Sequence, residues 1–238
     1  RFYLRGMAYD RYDGKSWTTR LAHRRALVES PAGTFSVRHI SSRSPRPVGQ
    51  LIRQTILLEA LDTAVLFAAP HPESISGQFL AIQSDPTGAI YLPFPTSSRI
   101  EYTVHSSVTP VAPADLQSQP AVYTEVFKQH FLQIPESSER LGVLAREITQ
   151  SKSSAYEKAQ AVEAYLTKNY RYSLDIPSSV QTNPLEEFLF ERKTGYCEHY
   201  ATAMVMLLRA VGVPARLVTG FLATEWNEYG NYYLVRQR

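Results

Sequence analysis

The sequence predicts an α+β protein whose N-terminal part is β-rich and whose C-terminal part combines helices with strands. Over residues 1–110, short apolar runs are separated by turn signals such as Asp13-Gly14. Residues 109–120 are rich in proline, and beyond them apolar residues recur at helical spacing. These observations predict a β-rich domain at 1–110, a linker at 111–120 and a second domain at 121–238.

The β-rich part contains five clear strand candidates. The alternation of apolar and polar residues at the start of the last one is typical of a sheet with one solvated face. Strands at this spacing predict a small sandwich or a barrel-like sheet. The segment Arg38–Gly49, rich in Ser, Arg and Pro, is predicted to be a loop. The candidates are Phe2–Leu4, Leu51–Ala60, Ala64–Ala69, Ala89–Leu92 and Ile100–Val108.

The C-terminal part contains four helix candidates and three strand candidates. The first helix has Ser137 or Ser138 available as N-cap, and the third begins after Pro184, a residue favoured at the first helical position. The predicted helices are Glu136–Gln150, Ser154–Tyr170, Leu185–Glu191 and Tyr196–Val211. The predicted strands are Tyr170–Leu174, Pro214–Thr224 and Tyr232–Gln237, the last two joined through a hairpin connection at 226–231.

Composition excludes several classes of protein. With 238 residues, 44% hydrophobic and 20% charged, the chain is globular rather than disordered. A net charge of +3 is too small to indicate a nucleic-acid partner. The basic residues of the β-rich part are mostly arginines; they indicate either an ordinary solvated face or contact with anionic lipid or an acidic polymer.

The single cysteine, Cys197, rules out an intrachain disulfide and a cysteine-based metal cluster. It follows Gly195, which permits a tight or positive-φ approach, and falls in the first turn of the helix predicted at Tyr196–Val211. Unpaired N–H groups and the helix dipole favour a thiolate there. The helix has a wide apolar stripe, so the thiol begins a core helix. From the chemistry alone, however, a lone cysteine near a helix end is more often structural than catalytic. The stripe comprises Ala201, Met204, Val205, Leu207 and Leu208.

The residues around Cys197 resemble a known family. The run Thr194-Gly195-Tyr196-Cys197-Glu198-His199-Tyr200-Ala201, followed by Arg209–Arg216 and Val218–Phe221, closely resembles the transglutaminase-like superfamily, in particular its bacterial, membrane-anchored branch. Tyr12–Trp17 and Tyr170–Leu174 also resemble that branch. The resemblance is dense from about 136 to 238, sparse near 1–20, and unconvincing from 21 to 110.

This resemblance implies a papain-like site in which a Cys, a His and an Asp meet where a helix packs against an antiparallel sheet. The Cys position corresponds to Cys197. The family's His and Asp follow on strands after residue 238, so we expect these 238 residues alone, a C-terminally incomplete core, to be inactive. In the intact protein, Cys197 is expected to attack a glutamine carboxamide or a peptide carbonyl and form a thioester.

Three other residues have candidate roles in or near the site. His199 lies two residues after Cys197 on the same helix and points elsewhere, so a structural role is predicted rather than that of a base. Tyr196 and Trp226 are candidates for substrate binding, although ordinary packing explains either equally well. No set of histidines has metal-ligand spacing, so neither a metal nor a cofactor is expected.

The resemblance also implies location and partners. We expect an extracytoplasmic portion of a bacterial protein that is attached to a membrane through segments outside this chain, and a protein or peptide substrate that belongs to the cell envelope. The alternatives are a cysteine peptidase or amidase, and a non-catalytic scaffold or binding module with the same fold. An unpaired edge at Tyr232–Gln237 is expected to favour self-association.

Overall fold

A computed structural model describes residues 2–20, 26–30, 32–37, 50–108, 112–118, 123–135, 139–176 and 183–236. The strands are β1 (Phe2–Tyr9), β2 (Arg11–Tyr12), β3 (Trp17–Thr18), β4 (Ala26–Glu29), β5 (Thr34–Ser36), β6 (Gln50–Leu58), β7 (Thr63–Leu66), β8 (Pro72–Gly77), β9 (Ala81–Ser84), β10 (Ile90–Thr96), β11 (Ile100–Val108), β12 (Arg171–Tyr172), β13 (Thr194–Gly195), β14 (Leu217–Ala223), β15 (Glu225–Asn227) and β16 (Tyr232–Leu234). The helices are α1 (Pro113–Ser118), α2 (Glu125–Phe131), α3 (Glu139–Thr149), α4 (Ala155–Asn169), α5 (Pro184–Glu186) and α6 (Cys197–Ala210), with a π-helical segment at Glu187–Arg192. Within these ranges no helix has both the length and the apolar character that a membrane span requires.

The chain groups into two compact units. The β-rich unit comprises Arg1–Ala8, Leu21–Pro110 and Val218–Arg238, and the helical unit comprises Tyr9–Arg20 and Val111–Leu217. This grouping differs from the predicted boundaries because Tyr9–Arg20 packs with the helices, and because β14 pairs with β1 rather than with a helical neighbour.

The sequence predicted two segments without regular structure, and the structure describes part of only one of them. The segment 111–120, predicted as a linker, contains the short helix α1. The loop predicted at 38–49 lies outside the described residues, as do Ser137 and Ser138.

The β-rich unit is built around two four-stranded sheets, ordered β4–β9–β10–β7 and β5–β8–β11–β6. Side chains from both sheets share one core, in which Ile75 and Val104 of one sheet and Ile82 and Ile90 of the other are 0% exposed. Alternate residues of β11 are buried, as expected for a sheet with one solvated face. The predicted small sandwich is therefore confirmed.

Strands β1 and β14 form a separate pair in the β-rich unit. Gly220 lies where a Cβ atom would come within 2.0 Å of the Leu4 carbonyl oxygen, so this close approach of two strands requires glycine. The next residue, Phe221, packs its ring edge-on against Phe67 at 4.8 Å between centroids. The glycine of the sequence motif Val218–Phe221 thus has a packing role.

The helical unit is organised around α6, against which α3 and α4 pack. Ala145, Val162, Ala203, Met206 and Leu207 are all fully buried at 0% exposure. Helix α4 begins with a capping box, in which Ser154 Oγ accepts from the Glu157 N–H and the Glu157 carboxylate accepts from the Ser154 N–H. The helices predicted from periodicity are confirmed to within a few residues.

The segment Tyr9–Arg20 is held to the helical unit through a buried carboxylate. Asp10, 2% exposed, accepts hydrogen bonds from the Arg20 backbone N–H (2.8 Å) and Arg20 Nε (3.0 Å), and hydrogen-bonds to His130 Nδ1 (3.0 Å). Burial alone would raise the pKa of Asp10, but the hydrogen bonds from His130 and Arg20 outweigh it and hold the pKa below its ordinary value. Asp10 therefore fastens the start of the chain to α2.

The hairpin of β15 and β16 presents aromatic side chains to solvent. Trp226 packs its ring 4.8 Å from that of Tyr233 between centroids, yet the two are 47% and 46% exposed. Tyr229, in the turn between the strands, is fully exposed. Self-association through Tyr232–Gln237 stays a prediction, and Gln237 lies outside the described residues.

We expect Asp10→Asn to lower the free energy of unfolding by about 2 kcal/mol at pH 7, because an amide accepts the Arg20 and His130 hydrogen bonds less strongly than a carboxylate. Since the folded-state pKa of Asp10 is depressed, its contribution is full above the ordinary carboxyl value of 3.8 and declines as the pH falls below it, through the folded-state pKa. Urea unfolding of both proteins at pH 7 and pH 3 measures this loss.

The exposed Asp62→Asn serves as the control, which should change stability little at either pH. An Asp10→Asn effect that does not shrink at pH 3 would show that the carboxylate charge is not what stabilises this contact.

Candidate active site

The chain reaches Cys197 along a fixed path. The π-helical segment ends at Lys193, whose φ of 52° is left-handed, and β13 then runs parallel to β12. Two backbone hydrogen bonds of 2.9 Å, from the Arg171 N–H to the Lys193 oxygen and from the Ser173 N–H to the Gly195 oxygen, hold this short pair. The direction in which the chain enters α6 is therefore set by backbone pairing.

Gly195 is needed for packing rather than for an unusual φ. Its φ lies outside the left-handed region, but a Cβ at this position would lie 2.8 Å from both His199 Cβ and Phe188 Cε2. The sequence left open a tight or a positive-φ approach, and the structure has the tight one. Phe188 is 1% exposed, so the ring cannot move away to make room.

Cys197 is the first residue of α6, after Tyr196 as N-cap, and it is exposed. The first intrahelical hydrogen bond runs from the Tyr200 N–H to the Tyr196 oxygen at 3.3 Å. The N–H groups of Cys197 and Glu198 precede it and have no partner within the helix, so they are available to an anion at this end. The predicted start of the helix is confirmed, whereas the role of Cys197 as nucleophile stays a prediction.

His199 packs away from the thiol. Its Nδ1 accepts from the Tyr196 N–H at 3.4 Å, and its ring lies 4.4 Å from the Tyr196 ring and 5.5 Å from the Phe188 ring. Burial lowers the pKa of His199, and Arg192 lowers it further against the opposing carboxylates of Glu198 and Glu187. A neutral imidazole at pH 7 with Nδ1 as acceptor carries its proton on Nε2.

Neither histidine of the helical unit is placed to act as a base toward Cys197. Residues turn by about 100° each along a helix, so His199 lies on roughly the opposite side of α6 from Cys197. His130 is engaged with Asp10. The prediction that His199 has a structural role agrees with this packing.

A cavity of about 350 Å³ lies at the first turn of α6 within the helical unit. Helix α6 contributes Tyr196, Glu198, His199 and Thr202 to its walls, but not Cys197. Tyr196 therefore lines a cavity, but this cavity opens on the side of the helix that does not carry the thiol. Its role in substrate binding stays a prediction.

Trp226, the other candidate for substrate binding, lies in β15 of the β-rich unit rather than at the tip of the hairpin. Its ring is partly covered by Tyr233 and otherwise exposed. An exposed tryptophan is able to contact a ligand, and this role also stays a prediction.

Sequence reasoning missed three residues of the segment Tyr9–Arg20 that contribute to the site. Trp17 Nε1 donates to Thr202 Oγ1 at 2.9 Å, Tyr12 lies 5.1 Å from Trp17 between ring centroids, and Lys15 lines the cavity. These residues are about 180 positions from α6 in the chain. Their only signal was the motif Tyr12–Trp17, which indicates family membership but not a contact.

Among the described residues, no group of three or more His, Cys, Asp or Glu side chains is placed to hold a metal ion.

Comparison with known proteins finds two family models that match separate parts of the chain. Residues 143–237 match the transglutaminase-like superfamily, and residues 1–113 match the TgpA N-terminal domain. The chain contains a transglutaminase-like core. The β-rich part from 21 to 110, where the sequence resemblance was unconvincing, also belongs to the match, so that judgement was wrong.

Two curated relatives are similar to part of this chain. The uncharacterized protein YebA of Bacillus subtilis is 40% identical over 110 residues, which are 44% of this chain and 15% of that protein. A protein-glutamine gamma-glutamyltransferase of Pseudomonas aeruginosa is 38% identical over 112 residues, 44% of this chain and 16% of that protein. The alignments thus span under a fifth of either relative.

Two solved structures share the fold. The periplasmic domain of TgpA from Pseudomonas aeruginosa has a TM-score of 0.71 at 23% identity, covering 98% of this chain and 73% of that one. The same domain bound to ethylmercury has a TM-score of 0.68 at 24% identity, covering 98% and 75%. The predicted α+β class, a β-rich part followed by a transglutaminase-like core, is confirmed.

Because its sulfur is exposed, we expect Cys197 to react fully with iodoacetamide at pH 7 without denaturant, at a rate no lower than that of an unstructured cysteine peptide. Mass spectrometry should find one label per chain, since the sequence has one cysteine. Labelling that needs urea would show that the thiol is buried and would remove it as a candidate nucleophile.

Gly195→Ala should lower the free energy of unfolding by about 2 kcal/mol, because its Cβ overlaps His199 and the buried Phe188 ring. The matched control is Gly142→Ala at the fourth residue of α3, where the nearest atom is the flexible end of Arg146 at 3.3 Å. That change should be neutral or stabilising by up to about 1 kcal/mol. Equal effects of the two substitutions in urea unfolding would contradict the tight approach.

Proposed function

We propose that Cys197 is the nucleophile of a cysteine acyltransferase. The observation that carries this proposal is an exposed thiol at the first position of a buried helix, within a transglutaminase-like core. The thiolate attacks a carbonyl carbon, and the negative charge moves to the carbonyl oxygen. When the tetrahedral intermediate collapses, the nitrogen leaves with a proton as ammonia or an amine, and a thioester remains.

The first turn of α6 stabilises that negative charge. The N–H groups of Cys197 and Glu198 have no partner within the helix. The positive end of the helix dipole also lies at this first turn, beside the carbonyl oxygen that becomes negative. Donors that are fixed before the reaction are worth more than mobile ones, because no energy is spent in orienting them. The rigid path from β13 into α6 supplies this fixation.

The substrate class is a glutamine carboxamide or a peptide carbonyl of a protein or peptide. The relative named as a protein-glutamine gamma-glutamyltransferase supports the carboxamide. When an amine attacks the thioester, the product is a cross-link, and when water attacks it, the product is a free acid. A cysteine peptidase or amidase would differ from a cross-linking enzyme in the bond that it breaks and in the acceptor that it uses.

The proposed location is the extracytoplasmic face of a bacterial membrane, with the membrane attachment outside these 238 residues. The fold shared with the periplasmic domain of TgpA supports this location. A cell-envelope protein or peptide is the corresponding substrate.

A non-catalytic scaffold is the second candidate, favoured by one observation. Within the described part of the helical unit, both histidines are engaged elsewhere, His130 with Asp10 and His199 with the Tyr196 N–H. The family's His and Asp are expected after residue 238, so we propose that these 238 residues alone are inactive. The longer chain distinguishes an enzyme from a scaffold.

We expect no measurable amine incorporation or peptide hydrolysis by residues 1–238, and activity from a chain that extends through the next two strands. Without a base to accept the thiol proton and a residue to orient that base, the rate falls by several orders of magnitude. Both chains are assayed with a fluorescent amine and a glutamine-containing peptide, each beside its Cys197→Ala variant.

In the extended chain, Cys197→Ala should abolish activity. Activity that survives this substitution would overturn Cys197 as the nucleophile. An extended chain that is inert on a broad panel of peptides, while Cys197 still labels with iodoacetamide, would favour the scaffold.

A further inference from the structure

The cavity at the first turn of α6 has the size of a small-molecule site. Its volume of about 350 Å³ is near the lower end of the range for ligand pockets, enough for one amino acid or a dipeptide. All its walls belong to the helical unit, from the segments Tyr9–Arg20 and Val111–Leu217.

Part of the cavity lining is apolar. It consists of Leu185 and Phe188, which are 6% and 1% exposed, together with Ile176 and Pro184. Because Leu185 and Phe188 belong to the core of the helical unit, their part of the lining is preformed and suits an aliphatic or aromatic side chain of a ligand.

The lining also carries charges of both signs. Lys15 and Glu198 line the cavity, are exposed, and have no ion-pair partner among the residues that the structure describes. Burial raises the pKa of the Tyr12 phenol to about 12, and the charges of Asp13 and Glu198 add to this effect, so Glu198 lies near Tyr12. Arg192 also lines the cavity, but its charge is matched by Glu187.

We propose that this cavity binds a zwitterion: a free amino acid or short peptide that offers a carboxylate to Lys15, an ammonium group to Glu198 and an apolar side chain to Leu185 and Phe188. The Nε2–H of the neutral His199 is a further donor for the carboxylate. A ligand that has only a carboxylate is repelled by Glu198, and a ligand that has only an ammonium group is repelled by Lys15.

Binding here does not depend on the acyl-transfer proposal. Glu198, His199 and Thr202 lie about 100° to 200° around α6 from Cys197, and Cys197 is not part of the cavity wall. Cys197→Ala should therefore bind the same ligands with the same affinity. Loss of the proposed enzyme activity and loss of this binding are separate results.

The probes are L-leucine, N-acetyl-L-leucine, which keeps only the carboxylate, and L-leucinamide, which keeps only the ammonium. Fluorescence of Trp17 reports binding, because its Nε1 donates to Thr202, a residue of the cavity wall. Trp226→Phe removes the other tryptophan signal. Leucine should bind saturably and at least about tenfold more tightly than either derivative, the loss expected for one charge-assisted hydrogen bond.

Lys15→Met and Glu198→Gln should each weaken leucine binding about tenfold. The matched controls are Lys168→Met and Glu163→Gln, exposed residues of α4 outside the cavity, which should leave the affinity unchanged. Urea unfolding checks that all four variants are folded.

Three results would overturn the proposal: no saturable binding of leucine, equal affinity for leucine and one derivative, or no effect of Lys15→Met or Glu198→Gln. Equal binding of N-acetyl-leucine would indicate a simple anion site, and equal binding of leucinamide a simple cation site.

Discussion

Arg209 lies in the last turn of α6 with 2% of its surface exposed, and its guanidinium is surrounded by backbone oxygens. Its nitrogens donate to the carbonyls of Asp10, Gln133 and Ala215 at 2.6 to 3.0 Å. Burial lowers the pKa of Arg209 to about 10, so it remains charged at neutral pH. Since a buried charge that loses its partners costs several kcal/mol, this side chain requires two distant segments, at Asp10 and Gln133, to meet the chain that follows α6 at Ala215.

The contacts of Arg209 determine which turns of α6 are buried by the rest of the helical unit. The Tyr9–Arg20 segment, held by Asp10 and Arg209, lays Trp17 over the helix, where its Nε1 bonds Thr202 and its ring lies 5.5 Å from the Arg209 guanidinium carbon. The middle of the helix is enclosed, and the first turn is left at the surface. A cysteine at the first position is therefore exposed while the helix that carries it is immobile, which is the condition for a precise reactive group.

Local signals in the sequence were enough to predict α6, placed at Tyr196–Val211 and found at Cys197–Ala210. They were not enough to predict its buried face, since Thr202, Met206 and Arg209 are buried outside the predicted stripe. Thr202 and Arg209 are covered by contacts with Trp17 and Asp10, which lie 185 and 199 residues away in the chain, and apolar periodicity carries no information on such contacts. Strands β4, β5, β8 and β9 were missed for a related reason, because short strands such as β8, with its two serines and one glutamate, are defined by their neighbours in the sheet.

The first turn of α6 carries two different chemistries on opposite sides. Cys197 faces one side, while Glu198 and His199 face the cavity on the other. Because Cys197 and His199 lie about 200° apart around α6, His199 is not placed to take the thiol proton directly. A base for the thiol therefore has to approach from the side of the helix that carries Cys197. The Tyr196 N–H bond and the Phe188 ring keep His199 on its own side, and Gly195 permits that packing. The contacts that hold the imidazole away from the thiol are thus the same ones that shape the cavity wall.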